Sequence, residues 1–286
     1  MSADTLPGWF LPLFAFLFGA VVGSFLNVVI ARVPRSQSVV KPRSRCPRCE
    51  TPIAGFDNIP ILSWVLLRGR CRKCGEPISI RYPAVELAGG LLAIACLRQF
   101  GPTAWALAAF AFLASLVALT YIDLDHWLLP RSITIPFIAL GLGCSFLPGA
   151  PGIASSALGA AVGFAAFVLL GWIAERILKK EALGGGDVWL LAMIGAWLGI
   201  RSLLPVVLLA SLQGALIGGV LLLFARRRSQ ATAMPAPKPT GDAEVDDWTP
   251  PAGALPFGPF LALGAAEYLF FGERLVAWYV GLLTMA

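Results

Sequence analysis

Long apolar runs separated by short polar segments dominate the pattern of this chain. Most of the runs approach the ~20 residues that an α-helix needs to cross a bilayer. The pattern therefore predicts an all-α polytopic membrane protein with about eight transmembrane helices. The predicted helices cover approximately residues 9–31, 83–97, 103–122, 133–147, 153–173, 187–200, 203–225 and 257–271.

The polar segments divide the chain into five parts of different character. A small cytosolic domain is expected to be inserted after the first helix, and a flexible linker follows the seventh. Beyond residue 271 we expect a separate interfacial segment. The five parts are residues 1–31 (first helix), 32–84 (inserted domain), 85–225 (transmembrane core), 226–256 (linker) and 257–286 (last helix and C-terminal segment).

Composition agrees with a membrane protein and excludes an ordinary soluble domain. The chain is 58% hydrophobic and 13% charged, with a mean hydropathy of +0.79. Half of its 22 basic residues lie in residues 32–84. Nucleic-acid binding could explain such a cluster, but retention in the cytosol by the positive-inside rule explains it better between two spans. We therefore expect a lipid bilayer and no nucleic acid as a partner.

Charge also predicts the topology. With residues 32–84 in the cytosol and strict alternation of sides, 19 of the 22 basic residues fall on the cytosolic side. Only Arg98, Arg201 and Arg274 fall on the other side. This bias predicts eight spans with both termini outside. It also places Asp123, which ends the third predicted helix, and Asp187, which begins the sixth, at the same cytosolic edge.

Four cysteines in the inserted domain predict a metal site. Cys46 and Cys49 form one C-x-x-C pair, and Cys71 and Cys74 form another after 21 intervening residues. Two such pairs supply four thiolates to one tetrahedral Zn²⁺, which leaves no open position and indicates a structural ion. Disulfides are the alternative, and a reducing cytosol argues against them. The apolar run 59–67 between the pairs either forms a small core or rests on the membrane.

The two aspartates predict a second kind of chemistry. Asp187 follows three glycines, which we expect to form a hinge. Gly185→Val should therefore reduce turnover more than it reduces folding. The alternative is that Asp187 simply caps a helix after a loop. Two carboxylates held close together share one proton and suit peptide hydrolysis. Helix dipoles suggest Asp187 as the initial base, because it starts a helix, and Asp123 as the acid, because it ends one.

Other polar residues in or near the spans have structural interpretations. Asp125 and His126 are expected to be interfacial, although His126 could tune the aspartate pair. Asn27 should bond to another helix or to backbone, and Glu86 should not face lipid.

Several motifs together resemble the type IV prepilin peptidase family, the GxGD-type aspartic membrane peptidases. The resemblance covers nearly the whole chain. Its motifs are Gly19–Asn27, Cys46…Cys49, Phe56–Trp64, Cys71…Cys74, Arg81–Glu86, Asp123–Pro130, Gly184–Asp187 and Phe257–Phe260.

The resemblance implies that Asp123 and Asp187 are the catalytic pair of a multi-pass enzyme of the bacterial inner membrane. Such an enzyme cleaves the basic leader of prepilins or pseudopilins after a glycine on the cytosolic side. It then N-methylates the new terminus with S-adenosylmethionine, an activity associated with the cysteine-bearing loop. Arg131, where an acidic residue is common, and Trp189, where a lysine is common, depart from the pattern. The alternative is a zinc-knuckle transporter or secretion scaffold whose carboxylates relay protons.

Overall fold

The computed structural model describes residues 7–46, 48–178, 184–229 and 255–285. Within these ranges the regular structure is helical, apart from isolated β-bridges near the cysteine pairs. The α-helices are α1 (Phe10–Arg32), α2 (Leu62–Leu66), α3 (Arg81–Phe100), α4 (Ala104–His126), α5 (Arg131–Cys144), α6 (Ile153–Leu178), α7 (Gly185–Leu198), α8 (Leu203–Ser229) and α9 (Gly258–Met285).

These helices confirm the all-α polytopic fold class. Five stretches among the described residues are long and apolar enough to cross a membrane: Phe10–Arg35, Arg81–Phe100, Ala104–His126, Ile153–Ile177 and Ile200–Val220. The helices α5 and α7 are apolar but shorter, at 14 residues each. Leu190 to Leu198 of α7 are all buried, so this helix is surrounded by protein rather than by lipid.

Several helix ends differ from the predicted ones. The third predicted helix, α4, does not stop at Asp123 but continues to His126. The seventh predicted helix, α8, continues through Arg226–Arg228 to Ser229. The last helix runs without a break past residue 271, so the expected separate interfacial segment is wrong. The rest of the expected linker, residues 230–254, lies outside the described residues.

The glycine run is also not a hinge outside the helix. Gly184 is the extended N-cap residue of α7, while Gly185 and Gly186 already belong to its first turn. The glycine run therefore starts the helix, although glycine costs backbone entropy there.

Trp197 organises the core between α4, α5 and α7. Its ring stacks on Phe112 of α4 at a centroid distance of 5.1 Å, and its indole N–H donates to the Phe137 carbonyl at 2.8 Å. The ring occupies the space that Gly141 leaves open, because a Cβ there would lie 2.7 Å from it. The tryptophan thus fixes α7 against two neighbouring helices.

Glycines allow two helix pairs to approach closely. Gly19 of α1 faces the backbone of Gly89 on α3, and Gly159 of α6 faces that of Gly195 on α7. A Cβ at any of these positions would collide with the opposite backbone. Such contacts replace the hydrophobic effect, which does not drive association between helices in lipid.

Both predictions for polar residues inside the spans are confirmed. The Asn27 side-chain amide donates to the Tyr82 carbonyl at 3.1 Å. Glu86 is 8% exposed, and its carboxylate accepts a hydrogen bond from the Ile61 N–H at 2.7 Å. The first contact joins α1 to α3, and the second joins α3 to the segment between these two helices.

Candidate active site

Asp123 lies in the last turn of α4 and is only 5% exposed. Trp127, with φ of 53°, ends this helix by donating its N–H to the Asp123 carbonyl at 2.9 Å. The left-handed residue turns the chain sharply toward Leu129 and Pro130, both buried. The carboxyl group is therefore held at a sharp end of a helix, inside the protein.

Asp187 lies in the first turn of α7, beside its cap. Its N–H donates to the Gly184 carbonyl at 3.0 Å. Its Oδ2 lies 3.3 Å from the point where a Cβ of Gly184 would stand. The side chain therefore folds back over the glycine run, and any larger residue at position 184 would press on the carboxylate.

Leu129 and two glycines bring the aspartates together. A Cβ at Gly186 would lie 2.7 Å from Leu129 Cβ, and one at Gly258 would lie 3.2 Å from Leu129 Cδ1 and would collide with Asp123 Oδ2. Asp123 is also close enough to Asp187 for its charge to act on that carboxyl. The starts of α7 and α9 and the end of α4 thus meet at one point.

The start of α9 lies against Asp123. A Cβ at Gly258, the first residue of α9, would collide with Asp123 Oδ2. The start of a helix favours a negative charge. Asp123 therefore sits at the end of its own helix but at the beginning of another, and helix dipoles no longer distinguish it from Asp187.

Asp125 is not directed into this pair. Its carboxylate accepts a hydrogen bond from Arg81 at 2.6 Å, and the Arg81 guanidinium also lies 4.5 Å above the centre of the Tyr121 ring. His126 is exposed at the end of α4. The Arg81 contacts place the start of α3, and with it the cysteine-bearing domain, at the same end of the bundle as Asp123.

The four predicted cysteines converge. Their Sγ atoms all lie within 4.8 Å of one another, and those of Cys46 and Cys74 are 3.7 Å apart. A tetrahedron with Zn–S bonds of 2.3 Å has edges of about 3.8 Å. The four thiols can therefore bind a metal ion without a large movement.

The two cysteine pairs are equivalent turns. Cys46 N–H donates to the Thr51 carbonyl at 3.0 Å, as Cys71 N–H does to that of Glu76 at 2.8 Å. Glu50 takes the left-handed conformation, with φ of 52°, that Gly75 takes in the second turn, with φ of 71°. An ion pair between Arg48 and Glu76 joins the two turns. The sequence does not reveal this ion pair, because it forms only when the two turns face each other.

Thiol acidity fits a bound cation. Hydrogen bonds with the side chain and backbone of Thr51, and with other thiols, lower the pKa of Cys49 to about 6. Although the backbone N–H of Glu76 lowers the pKa of Cys74, partial desolvation and hydrogen bonds with the other three thiols together raise it to about 12. Four thiolates therefore accumulate here only when a cation neutralises their charge.

Comparisons with known proteins decide the family. A family model described as the Bacterial Peptidase A24 N-terminal domain matches residues 17–100, and one described as the Type IV leader peptidase family matches residues 110–219. The chain belongs to the type IV leader peptidase family. The four cysteines fall in the first match, and Asp123 and Asp187 in the second.

Curated relatives extend the similarity over nearly the whole chain. Proteins named prepilin leader peptidase/N-methyltransferase match from Myxococcus xanthus (43% identity, 96% of this chain and 95% of the relative) and Aeromonas hydrophila (39%, 97% and 96%). One of the same name from Burkholderia pseudomallei matches at 37%, over 91% of this chain and 85% of its own. These names do not support the transporter or scaffold alternative. No solved structure matches the chain.

The two departures from the family pattern contact each other. The Arg131 guanidinium, at the start of α5, lies 5.8 Å above the centre of the Trp189 ring, two residues after Asp187. Phe164 of α6 packs edge-on against the same ring, with the centroids 5.0 Å apart. A cation–π contact thus joins the residue after Leu129-Pro130 to the second turn of α7.

Proposed function

We propose that this enzyme is a prepilin leader peptidase that cleaves the basic leader of type IV prepilins or pseudopilins on the cytosolic side of the bacterial inner membrane. The observation that carries the proposal is the meeting of Asp123 and Asp187 at one end of a membrane-spanning helix bundle. Sequence similarity to prepilin leader peptidases supports it. The positive-inside bias supports a cytosolic position for that end.

The two aspartates would share one proton and divide the work of general acid and general base. Both carboxyl groups lie at the start of a helix, Asp123 against α9 and Asp187 in α7, so helix dipoles do not assign the shared proton to either one. The ionised aspartate would take a proton from the attacking water, while the protonated one donates a proton to the scissile carbonyl oxygen.

The site's position suits the substrate. A prepilin consists of a basic leader followed by an apolar segment that is stable as a helix in the bilayer. The junction between the two must therefore lie at a membrane boundary, where the bundle end carries the aspartates. The basic leader itself would stay on the cytosolic side, in agreement with the positive-inside rule.

The second activity follows from the same resemblance, and the metal from the four converging cysteines. The relatives' name includes N-methyltransferase, which implies S-adenosylmethionine as the donor of a methyl group to the new terminal amine. Cys46, Cys49, Cys71 and Cys74 would hold one structural Zn²⁺, whose chemistry is to fix the two turns to each other.

The test uses purified protein and a prepilin in detergent or vesicles. Asp123→Asn and Asp187→Asn should each lower leader cleavage by at least about 100-fold, since each removes one member of an acid–base pair. Mass spectrometry of the processed N-terminus reports cleavage and methylation together. Glu175→Gln is the matched control, because Glu175 is an exposed carboxylate on α6. Leader cleavage that persists in both aspartate variants would exclude the pair.

A further inference from the structure

In the short helix α2, between the two cysteine pairs, the polar residue is buried and the large aliphatic residues are exposed. Ser63 is 7% exposed; its hydroxyl donates to the Phe56 carbonyl and accepts from the Ile59 N–H, both at 3.0 Å. Leu62, Val65 and Leu66 are 50%, 58% and 72% exposed. These three share one face, since residues three and four apart are helix neighbours.

The opposite side of α2 is firmly attached to the domain. The Trp64 indole N–H donates to the Ile78 carbonyl at 3.0 Å, and its ring covers Gly69, where a Cβ would lie 2.8 Å away. The helix cannot rotate its apolar face inward without breaking these contacts. The exposed face of the apolar run is therefore not part of a core of the cysteine-bearing domain, whereas Trp64 on its other side packs within that domain.

Glu86 fixes where the segment before α2 lies along the membrane helix α3. It accepts the Ile61 N–H at 2.7 Å, and it lies five residues into α3, about 7.5 Å along the axis from Arg81. Ile61 has φ of 63°, a strained conformation for a β-branched residue. The strained turn is thus held against the second turn of a membrane helix rather than beyond its end.

Contacts with α1 place the segment before α2 at the same level of the helix bundle. Asn58 and Pro60 line a cleft of about 260 Å³ together with Phe25 and Val28 of α1. Both α1 residues precede the end of that helix at Arg32 by one to two turns. The segment before α2 therefore lies beside the final turns of α1, where Phe25 is itself exposed and faces outward from the bundle.

Charge follows the apolar face directly. Arg68 and Arg70 are exposed and come two and four residues after Leu66. An apolar face bordered by arginines is the pattern of interfacial helices, which bury the apolar side at the boundary of headgroups and acyl chains and bind anionic lipid with the basic side.

We propose that α2 is an interfacial anchor. Leu62, Val65 and Leu66 insert into the leaflet at the end of the bundle that carries the aspartates, and Arg68 and Arg70 bind anionic phospholipid headgroups. The anchor holds the cysteine-bearing domain flat against the bilayer. The proposal depends on the membrane spans and not on the peptidase assignment.

Photocrosslinking of the full-length protein tests the anchor. The photoreactive residue p-benzoylphenylalanine replaces Leu66, and the protein is reconstituted in vesicles of phosphatidylethanolamine and phosphatidylglycerol. After irradiation, mass spectrometry should find the mass of one phospholipid added. Lys73, an exposed residue in the same domain, is the control site, and its lipid adduct should be at least about fivefold weaker. Metal content equal to that of the unsubstituted protein shows that each variant is folded.

Other products would overturn the proposal. A crosslinked dimer would assign the face to a second copy of the chain, and an adduct formed only with added prepilin would assign it to the substrate. Equal lipid adducts at Leu66 and Lys73 would remove the specificity of α2. With Arg68→Gln and Arg70→Gln together, the excess of phosphatidylglycerol among the adducts should disappear; an unchanged excess would contradict the role of the arginines.

Discussion

Gly185 and Gly186, the two glycines directly before Asp187, differ in the space around them. A Cβ at Gly186 would lie 2.7 Å from Leu129 Cβ, whereas one at Gly185 would meet nothing within 4 Å. Both residues lie in the first turn of α7, so alanine changes helix propensity similarly at each. Among these glycines, the close contact at the site is that of Gly186 with Leu129, and the hinge expected at Gly185 stays a prediction.

Gly186→Ala should reduce leader cleavage at least about tenfold, because a displaced Leu129 shifts the Asp123 loop relative to Asp187 and small misplacements are costly in catalysis. Gly185→Ala is the matched control and should retain near-normal turnover. Rates with purified protein and unfolding temperatures of both variants give the comparison. Equal losses of activity in the two variants would instead support a hinge spanning the glycines.

Near the site, contacts between side chains that are far apart in the sequence join different helices. Arg131 starts α5 directly after the loop that contains Leu129, and Trp189 is the fifth residue of α7. Their contact therefore links the end of that loop to the helix that carries Asp187. Arg176 and Trp172 form a similar contact, at 4.8 Å, within α6 alone. The first pair can position the site, while the second cannot hold two elements together.

We expect a double-mutant cycle on kcat to separate these pairs. Arg131→Ala and Trp189→Leu should be coupled by about 0.5–1 kcal/mol, a typical exposed cation–π energy. Arg131→Lys should recover part of kcat because it keeps the cation. Arg176→Ala should leave kcat unchanged. Additive effects of the first two substitutions would show that the Arg131 contact does not position Asp187.

The membrane helices were predictable because each is an apolar run, whereas the five residues of α2 were not predicted as a helix. The metal ligands were predictable because their spacing is short and local. The ends of the helices were less predictable. Asp125 and His126 are polar, yet α4 includes them because Arg81 neutralises Asp125 from another element. Gly258 lies beside the Asp123 carboxyl across 135 residues of chain, and no local pattern marks that contact. Because a second helix start lies against Asp123, the assignment of Asp187 as the base from single-helix dipoles stays a prediction.

At the scale of the whole molecule, the cysteine-bearing domain and the aspartates occupy one end of the bundle and are linked through α3. Arg81 binds Asp125, and five residues later Glu86 binds the Ile61 N–H. The domain between α1 and α3 has few regular hydrogen bonds of its own beyond the cysteine turns and the five residues of α2. Its order should therefore depend on the metal, and that of the bundle should not.

Removal of the metal tests this division. A chelator, or Cys71→Ser with Cys74→Ser, should unfold the domain because metal binding supplies much of the folding energy of such small sites. Trypsin should then cleave after Arg68, Arg70 and Lys73 at least about tenfold faster. The far-UV circular dichroism should change little, since α2 contributes only five helical residues. Cys144→Ser, which removes a thiol outside the cluster, is the control and should not change the cleavage rate. Loss of most of the helical signal with the metal would show instead that the bundle is held together through the cysteine-bearing domain.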